Sequence, residues 1–201
     1  MLYRKLGTTG KDVSILGFGC MRLPVINGNY GHIDEEKAKN MLYYAIDNGV
    51  NYLDTAYPYH NGASETFLGK ALTSEYREKV NIATKIPSWL INKKEDLDYY
   101  LNIQLERLQT ETIDFYLVHS LNKNYWPRLE KAGIFEFLDD LKADGIIKYN
   151  GFSFHDDLEF FFEMIDSMTG IYARYSIISW MKIIKLEKPV SVMQQIKELV
   201  P

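Results

Sequence analysis

The stretch Phe115-Tyr116-Leu117-Val118-His119 sets four apolar residues directly before an imidazole. A short apolar run of this kind predicts a buried strand. Two further runs have the same form, and a polar side chain follows each: Val50-Asn51-Tyr52-Leu53 precedes Asp54, and Val80-Asn81-Ile82-Ala83-Thr84 precedes Lys85. Tyr59 lies shortly after the first of them. In a barrel of parallel strands, chemistry is done at the carboxyl ends of the strands, so these four polar side chains are expected to converge.

Helical patterns alternate with the predicted strands. Asp34 can cap a first helix that ends at Gly49. Later helices are predicted over residues 64–72 and 93–108, through Ile134 to Gly145, and after Asp156 as the cap. The remaining predicted strands are a small hairpin of residues 3–6 and 12–14, a first short buried strand over 15–18, and a fifth strand over 149–154. The chain therefore contains five predicted strand–helix units.

Strict alternation of strands and helices implies parallel strands with helices outside them, because parallel neighbours need crossover connections. A doubly wound sheet satisfies this alternation as well as a barrel does. The segment Gly17-Phe18-Gly19 is not a full G-x-G-x-x-G phosphate motif. Residues of catalytic type follow several different strands, whereas open sheets collect their sites at one switch point. We therefore expect an α/β fold of the (β/α)8 TIM-barrel type.

Composition narrows the class of protein. A chain of 201 residues with 46% hydrophobic content can bury a core, so a single globular domain is expected. The net charge of -4 argues against a nucleic acid or an anionic membrane as partner, because both need a basic surface. The single cysteine, Cys20, is expected to be buried or half-buried and suits a reducing compartment. With no apolar leader or membrane-length stretch, the chain is predicted to be cytoplasmic.

Several motifs, taken in order, resemble the aldo-keto reductase family. They are Tyr3-Arg4-Lys5-Leu6-Gly7, Leu16-Gly17-Phe18-Gly19-Cys20-Met21-Arg22, Asn51-Tyr52-Leu53-Asp54-Thr55-Ala56, Ala83-Thr84-Lys85, Ile113-Asp114-Phe115-Tyr116-Leu117-Val118-His119 and Gly151-Phe152-Ser153. The resemblance covers residues 1–167. It implies a (β/α)8 barrel that uses NADPH, or NADH, to reduce a small-molecule carbonyl substrate.

The resemblance also implies site residues. By motif matching, the catalytic residues are Asp54, Tyr59, Lys85 and His119. Tyr57 is a second candidate for the proton-donating phenol, but the spacing from Asp54 favours Tyr59. The implied cofactor-binding residues are Gly19, Cys20, Met21, Asp54, Ser153 and His155. Phe154 stands where the family has an asparagine, and His155 is the candidate to replace that contact. No metal site is predicted, and the oligomeric state is left open.

Carbonyl reduction explains why these residue types belong together. Negative charge grows on the carbonyl oxygen as hydride arrives at carbon, so a proton donor must lie within hydrogen-bond reach. A phenol next to an ammonium is a better proton donor, which gives Tyr59 and Lys85 their roles, and Asp54 would hold Lys85. His119 could orient the carbonyl by a hydrogen bond. Two alternatives stay open: a lyase in which Lys85 forms a Schiff base, and a non-catalytic barrel fragment. His32 and His60 fall in predicted loops and are expected to face solvent.

The resemblance ends near Ser167, and residues 168–201 have a different pattern. The tail can be translated back into codons and read again in a frame shifted by one nucleotide. Because Met has a single codon, the shifted frame must encode aspartate where the codons of Met168 and Thr169 meet, and the shifted tail resembles the sixth strand and following helix of the family. We therefore expect residues 1–167 to form a partial barrel and residues 168–201 to be out-of-frame translation. The alternative is a natural short variant whose tail docks as a helix with Val192, Ile196 and Leu199. A complete barrel takes about 250 residues. The chain as written is accordingly expected to be truncated after about five strand–helix units and to bind NADPH weakly or not at all.

Overall fold

The computed structural model describes residues 1–7, 9–167, 172–177 and 180–183. The chain opens with an antiparallel hairpin of β1 (Tyr3–Lys5) and β2 (Asp12–Ser14), as predicted. A large sheet follows, with strands β3 (Phe18–Gly19), β4 (Tyr52–Asp54), β5 (Asn81–Ile86), β6 (Ile113–Leu121), β7 (Ile147–Phe154), β8 (Tyr172–Ile177) and β9 (Trp180–Ile183). These strands lie side by side in chain order. All neighbours are parallel except β8 and β9, which are antiparallel.

Seven helices occur in the residues that the structure describes, and they connect the strands. They are α1 (Glu35–Asp47), α2 (Ala63–Ala71), α3 (Ser74–Glu78), α4 (Lys94–Leu108), α5 (Trp126–Lys131), α6 (Ile134–Ala143) and α7 (Leu158–Ser167). Short 3-10 helices occur at Cys20–Arg22, Ile26–Gly28, Tyr59–Gly62 and Ser88–Leu90. Five strand–helix units of a partial barrel are therefore present, as expected. Most of the tail to which the reading-frame prediction refers, including Val192, Ile196 and Leu199, lies outside the described residues.

Two helix caps were predicted, and one of them is correct. The Asp34 side chain accepts a hydrogen bond from the Lys37 amide at 3.1 Å, so it caps α1. The prediction of Asp156 as the cap of α7 is wrong by one residue. Asp157 accepts from the Phe160 amide at 3.0 Å, whereas Asp156 accepts from the Lys123 amide at 2.7 Å. Both aspartates suit a cap chemically, and the cap falls on the one that can reach the first turn.

The first strand of the large sheet is shorter and more exposed than predicted. Only Phe18–Gly19 pairs with β4, whereas Ile15 and Leu16 are 55% and 60% exposed. The expectation of a buried strand over residues 15–18 is therefore wrong. The physical reason is position, because β3 forms one edge of the sheet among the described residues. Leu16 lies beside an open apolar groove of about 580 Å³ that is also lined by Met41 and Tyr44 of α1.

The two faces of the strands bury different clusters. Side chains alternate along a strand, so Ile82 and Tyr116 face the helices and belong to the large core between sheet and helices. Ala83 and Phe115 face the other way and pack against Leu6 and Val13 of the hairpin region. The concave face of the sheet is thus filled at the end where the strands begin. Its other end, where the strands finish, is left for polar side chains.

None of the helices in the described residues is both long enough and apolar enough to cross a membrane.

Candidate active site

Lys85 lies at the centre of a hydrogen-bonded cluster at the carboxyl ends of β4 and β5. Its Nζ donates to Asp54 Oδ1 at 2.9 Å, to the Thr55 carbonyl at 2.6 Å and to the Tyr59 phenol oxygen at 3.4 Å. An ammonium carries three protons, so each one has an acceptor. The Lys85 side chain is only 4% exposed, and a charge buried to this extent needs such partners.

Strand register brings these groups together. Asp54 is the last residue of β4 and pairs with Ala83 of β5. Lys85 lies two residues beyond Ala83 and therefore on the same face of the strand, so its side chain can reach back to the carboxylate. Tyr59 opens the 3-10 helix that follows β4. The phenol thus comes from the loop directly after the strand that supplies the carboxylate.

His119 joins the cluster from β6. Its ring lies edge-on to the Tyr59 ring, with the centroids 5.9 Å apart. Burial, and then the positive charge of Lys85, lower the pKa of His119 from 6.5 to about 3, so the imidazole is neutral near pH 7. Its Nδ1 is buried and has no hydrogen-bond partner within the described part of the chain. The structure therefore brings all four predicted catalytic side chains together.

Tyr57, the competing phenol, lies elsewhere. Its ring packs under the Arg107 guanidinium at 4.5 Å and edge-on against Tyr100 at 5.1 Å. These contacts place it against α4 and not beside Lys85. The phenol next to the ammonium is that of Tyr59.

The first group of predicted cofactor-binding residues lies at the end of β3. Gly19 pairs with Asp54 in register, and an added Cβ at Gly19 would meet no atom within 4 Å. Cys20 is fully buried, as expected, and burial raises the pKa of its thiol. Met21 is 49% exposed. These residues therefore border the carboxylate end of the cluster, with open space above Gly19.

The second group lies at the end of β7. Ser153 is buried, and its Oγ accepts a hydrogen bond from the Ser120 amide at 2.8 Å. Phe154 points into the helix layer, where it packs against Phe161 with ring centroids 5.2 Å apart. His155 is exposed, and it lies near enough to His119 to contribute to lowering its pKa. His155, rather than Phe154, therefore faces the rim of the site.

The prediction for His60 is wrong, because this residue is 1% exposed and not solvent-facing. Its Nε2 accepts from the Leu23 amide at 3.1 Å, and its Nδ1 contacts the Tyr30 carbonyl at 2.6 Å. One ring nitrogen must therefore carry a proton while the other does not. His60 ties the loop after β3 to the loop that carries Tyr59. His32 is exposed, as expected.

Some residues around the site were not foreseen. Ser88 donates to the His119 carbonyl at 2.5 Å, and the Trp89 ring lies 5.2 Å from the His119 ring. Behind Lys85, Glu65 and Gln104 are both fully buried. Gln104 had a signal in the sequence, because it continues the apolar stripe of α4 formed by Leu97, Leu101 and Leu108. A polar residue in such a stripe indicates a buried hydrogen-bonding role.

Comparison with known proteins identifies the family of the chain. The model of the "Aldo/keto reductase family" matches residues 15–176. The Glycine max protein named "Probable aldo-keto reductase 1" is 37% identical over 158 residues, which cover 74% of this chain and 44% of that protein. The chain thus spans less than half the length of this relative.

Solved structures show the same architecture. The thermostable aldo-keto reductase Tm1743, solved with the inhibitor epalrestat, superposes with a TM-score of 0.71 at 28% identity, covering 88% of this chain and 63% of that one. An aldo-keto reductase from Klebsiella pneumoniae in complex with NADPH superposes with a TM-score of 0.63 at 25% identity, covering 79% of this chain and 52% of that one. Because the family model matches most of its residues, this chain belongs to the aldo/keto reductase family.

Proposed function

We propose that this chain carries the proton-transfer site of an oxidoreductase that reduces an aldehyde or ketone to an alcohol with NADPH, or NADH. The observation that carries the proposal is the hydrogen bond from Lys85 Nζ to the Tyr59 phenol oxygen at 3.4 Å. In this bond the phenol oxygen accepts, so the proton of Tyr59 stays free for a substrate. A phenol that gives its proton to a carbonyl oxygen is the general acid that this reaction needs.

The neighbours of Tyr59 favour this transfer. When the phenol loses its proton, the phenolate lies 3.4 Å from the Lys85 ammonium, and the two opposite charges attract each other. Asp54 and the Thr55 carbonyl keep the ammonium in place without taking its charge away. Lys85 thus stabilises the product of the proton transfer.

His119 is suited to orient the substrate. A neutral imidazole has one N–H to donate, and its ring lies next to the Tyr59 ring, so the two side chains could reach the same carbonyl oxygen. Two donors that meet at one oxygen fix which substrate atom receives the proton. His119 would act as a hydrogen-bond donor and not as a cation.

The residues present fit a nicotinamide cofactor at the ends of β3 and β7. At the end of β3 an added Cβ at Gly19 would meet no atom within 4 Å and Met21 is exposed, and at the end of β7 His155 is exposed, so both strand ends leave room for a ligand. The Ser153 hydroxyl accepts from Ser120, so its own proton is left to donate to a carboxamide. When bound, the reduced nicotinamide supplies the hydride. The other two residues predicted to bind the cofactor are Asp54, which pairs with Gly19, and Cys20, which follows Gly19.

We further propose that residues 168–201 are out-of-frame translation, although the family model matches as far as residue 176, and that cofactor binding is consequently weak. Residues translated out of frame would not supply the strand ends that follow the fifth strand in a (β/α)8 barrel, so fewer groups would hold the cofactor. Resequencing the coding DNA across the Ser167 codon tests the first statement, and an intact verified frame through Pro201 would overturn it. Titration of the protein with NADPH, followed by fluorescence, tests the second. Micromolar affinity for a monomer would contradict it.

The Schiff-base alternative has less support. A lysine nucleophile needs a free lone pair, whereas Lys85 Nζ directs a hydrogen bond at each of three acceptors. Whether the chain is instead a non-catalytic fragment is decided by measuring the activity of tyrosine variants.

The deciding experiment compares Tyr59→Phe with Tyr57→Phe. Each change removes one hydroxyl, but only Tyr59 contacts Lys85. With NADPH and a small aldehyde, we expect Tyr59→Phe to lose about a hundredfold in turnover and Tyr57→Phe to stay within about threefold of the unaltered chain. Equal activity of Tyr59→Phe and the unaltered chain would favour the non-catalytic fragment.

A further inference from the structure

Glu65 is a fully buried carboxylate that the proposed chemistry does not use. It lies in α2. Its Oε1 accepts from Thr84 Oγ1 at 2.5 Å and from Gln104 Nε2 at 2.6 Å, and its Oε2 accepts from Arg107 Nη1 at 3.2 Å. Burial raises the pKa of Glu65, which reflects the cost of keeping a carboxylate out of water. A buried polar network whose groups all have partners rigidifies the elements that it joins.

One arm of this network reaches Lys85. Thr84 immediately precedes Lys85, and its side chain points into the helix layer because side chains alternate along β5. Gln104 Nε2 also donates to the Lys85 carbonyl at 3.1 Å. Strand β4 ends at Asp54, opposite Ala83, so no residue of β4 lies opposite Lys85. Gln104 takes the place of the missing strand partner.

The orientation of the Gln104 amide is fixed from its other side. Tyr116 of β6 donates its hydroxyl to Gln104 Oε1 at 2.9 Å, so the amide nitrogen must face Glu65 and Lys85. Glu65, Gln104 and Tyr116 therefore lock the backbone of β5 at the residue that bears the ammonium.

The second arm reaches the loop of Tyr59. Arg107 Nη1 donates both to Glu65 and to the Tyr57 carbonyl, the latter at 3.3 Å, and its guanidinium covers the Tyr57 ring. The same guanidinium lies against Gly62, where an added Cβ would come within 3.0 Å of it. Arg107 thus holds the loop on both sides of Tyr59, and Glu65 holds Arg107.

We propose that Glu65 is a positioning residue that ties the strand of Lys85 to the loop of Tyr59 and so sets the distance between the ammonium and the phenol. This inference rests on the proposed function. The Lys85–Tyr59 hydrogen bond is already long at 3.4 Å, so a small separation of the strand from the loop breaks it. Glu65 accepts from both arms, through Thr84 and Gln104 on one side and Arg107 on the other.

The test is Glu65→Gln, which keeps the shape of the side chain but removes its charge and turns one acceptor into a donor. The matched control is Asp114→Asn, which makes the same chemical change in another buried carboxylate, one that binds Arg77 and Lys148 near the start of β6. Both variants are expected to lose stability. Only Glu65→Gln is expected to disturb the pair of Lys85 and Tyr59.

The first readout does not depend on turnover. Labelling of Lys85 by an amine-reactive ester, followed by peptide mass spectrometry under conditions where each variant is folded, reports whether the ammonium keeps its partners. We expect labelling in Glu65→Gln to be about tenfold faster than in the unaltered chain and in Asp114→Asn to stay within about twofold. Equal acceleration in both variants would overturn the inference, because it would reflect general loosening of the fold.

The second readout is kinetic. We expect Glu65→Gln to lower kcat with NADPH and an aldehyde about tenfold or more while KM for NADPH changes less than about twofold, since the network does not line the cofactor site. An unchanged kcat would overturn the inference. If Tyr59→Phe is fully active, the proposed function fails, and the labelling result still decides whether Glu65 positions Lys85. If Glu65→Gln does not fold, Thr84→Val removes only the hydrogen bond from Thr84 to Glu65 in the first arm and is expected to give the same pattern at smaller size.

Discussion

The carboxylate of Asp114 should contribute far more to stability than that of Asp12, although each forms ion pairs. Asp114 is 1% exposed and accepts from Arg77 at 2.9 Å, from Lys148 at 2.6 Å and from the Ile82 amide at 2.9 Å. Asp12 forms an exposed pair with Lys5, in which the two side chains are 57% and 61% exposed. Variants of these two residues therefore compare a buried carboxylate that accepts several hydrogen bonds with an exposed ion pair.

The change to asparagine is the same at both positions. Breaking a fully buried ion pair costs about 3–5 kcal/mol, but Lys148 is 51% and Arg77 is 23% exposed, so both cations regain water when the carboxylate is lost. We therefore expect Asp114→Asn to lower the free energy of unfolding by about 2–3 kcal/mol. An exposed pair contributes less than about 1 kcal/mol, so Asp12→Asn should have little effect.

Urea unfolding followed by tryptophan fluorescence measures the difference. With an m value of about 2 kcal/mol/M, Asp114→Asn should move the midpoint down by about 1 M, and Asp12→Asn by less than about half of that. Equal shifts of the two variants would refute the reasoning that burial decides the contribution. An unchanged midpoint for Asp114→Asn would show that the two cations need no carboxylate.

Three further results are expected. The folded pKa of His119, about 3, lies below its unfolded value near 6.5, so the unfolded state binds more protons between these two pH values. Stability should therefore fall as pH drops below about 6.5, and the urea midpoint of His119→Asn should depend less on pH over this range. Gly69→Ala should lower the free energy of unfolding by about 2 kcal/mol, because its Cβ would lie 2.3 Å from the Arg107 carbonyl; a higher melting temperature would contradict this. His60→Leu, which loses both ring hydrogen bonds, should speed proteolysis of residues 20–33, and an unchanged cleavage rate would show that His60 does not hold this loop.

The strand ends of the site could be predicted from sequence because the signals are local. Asp54, Lys85 and His119 each follow an apolar run, and parallel strands end at one edge of the sheet. Tyr59 could be placed by its spacing from Asp54. Two things decide whether a side chain reaches this cluster: the strand that carries it and the register of that strand. Both follow from alternation and strand order.

The partners that come from distant segments could not be predicted in this way. Nothing near His60 in the sequence indicates that its ring bonds to Leu23 and Tyr30, so a loop position suggested exposure. Glu65 accepts from residues 19, 39 and 42 positions away, and spacing along one helix does not show such contacts. The exposure of Leu16 depends on which strand forms the sheet edge, and that is also a property of the whole fold.

Strand β6 carries Asp114 near its start and His119 near its end. Five residues of extended chain separate the two side chains by about 17 Å. The ion pairs of Asp114 and the candidate site residue His119 therefore lie at opposite ends of one strand. Substitutions in the loops at the His119 end leave the ion pairs of Asp114 intact. A library that varies residues 122–125 could thus be built on a background stabilised at the Asp114 end, with the two sets of changes expected to add independently.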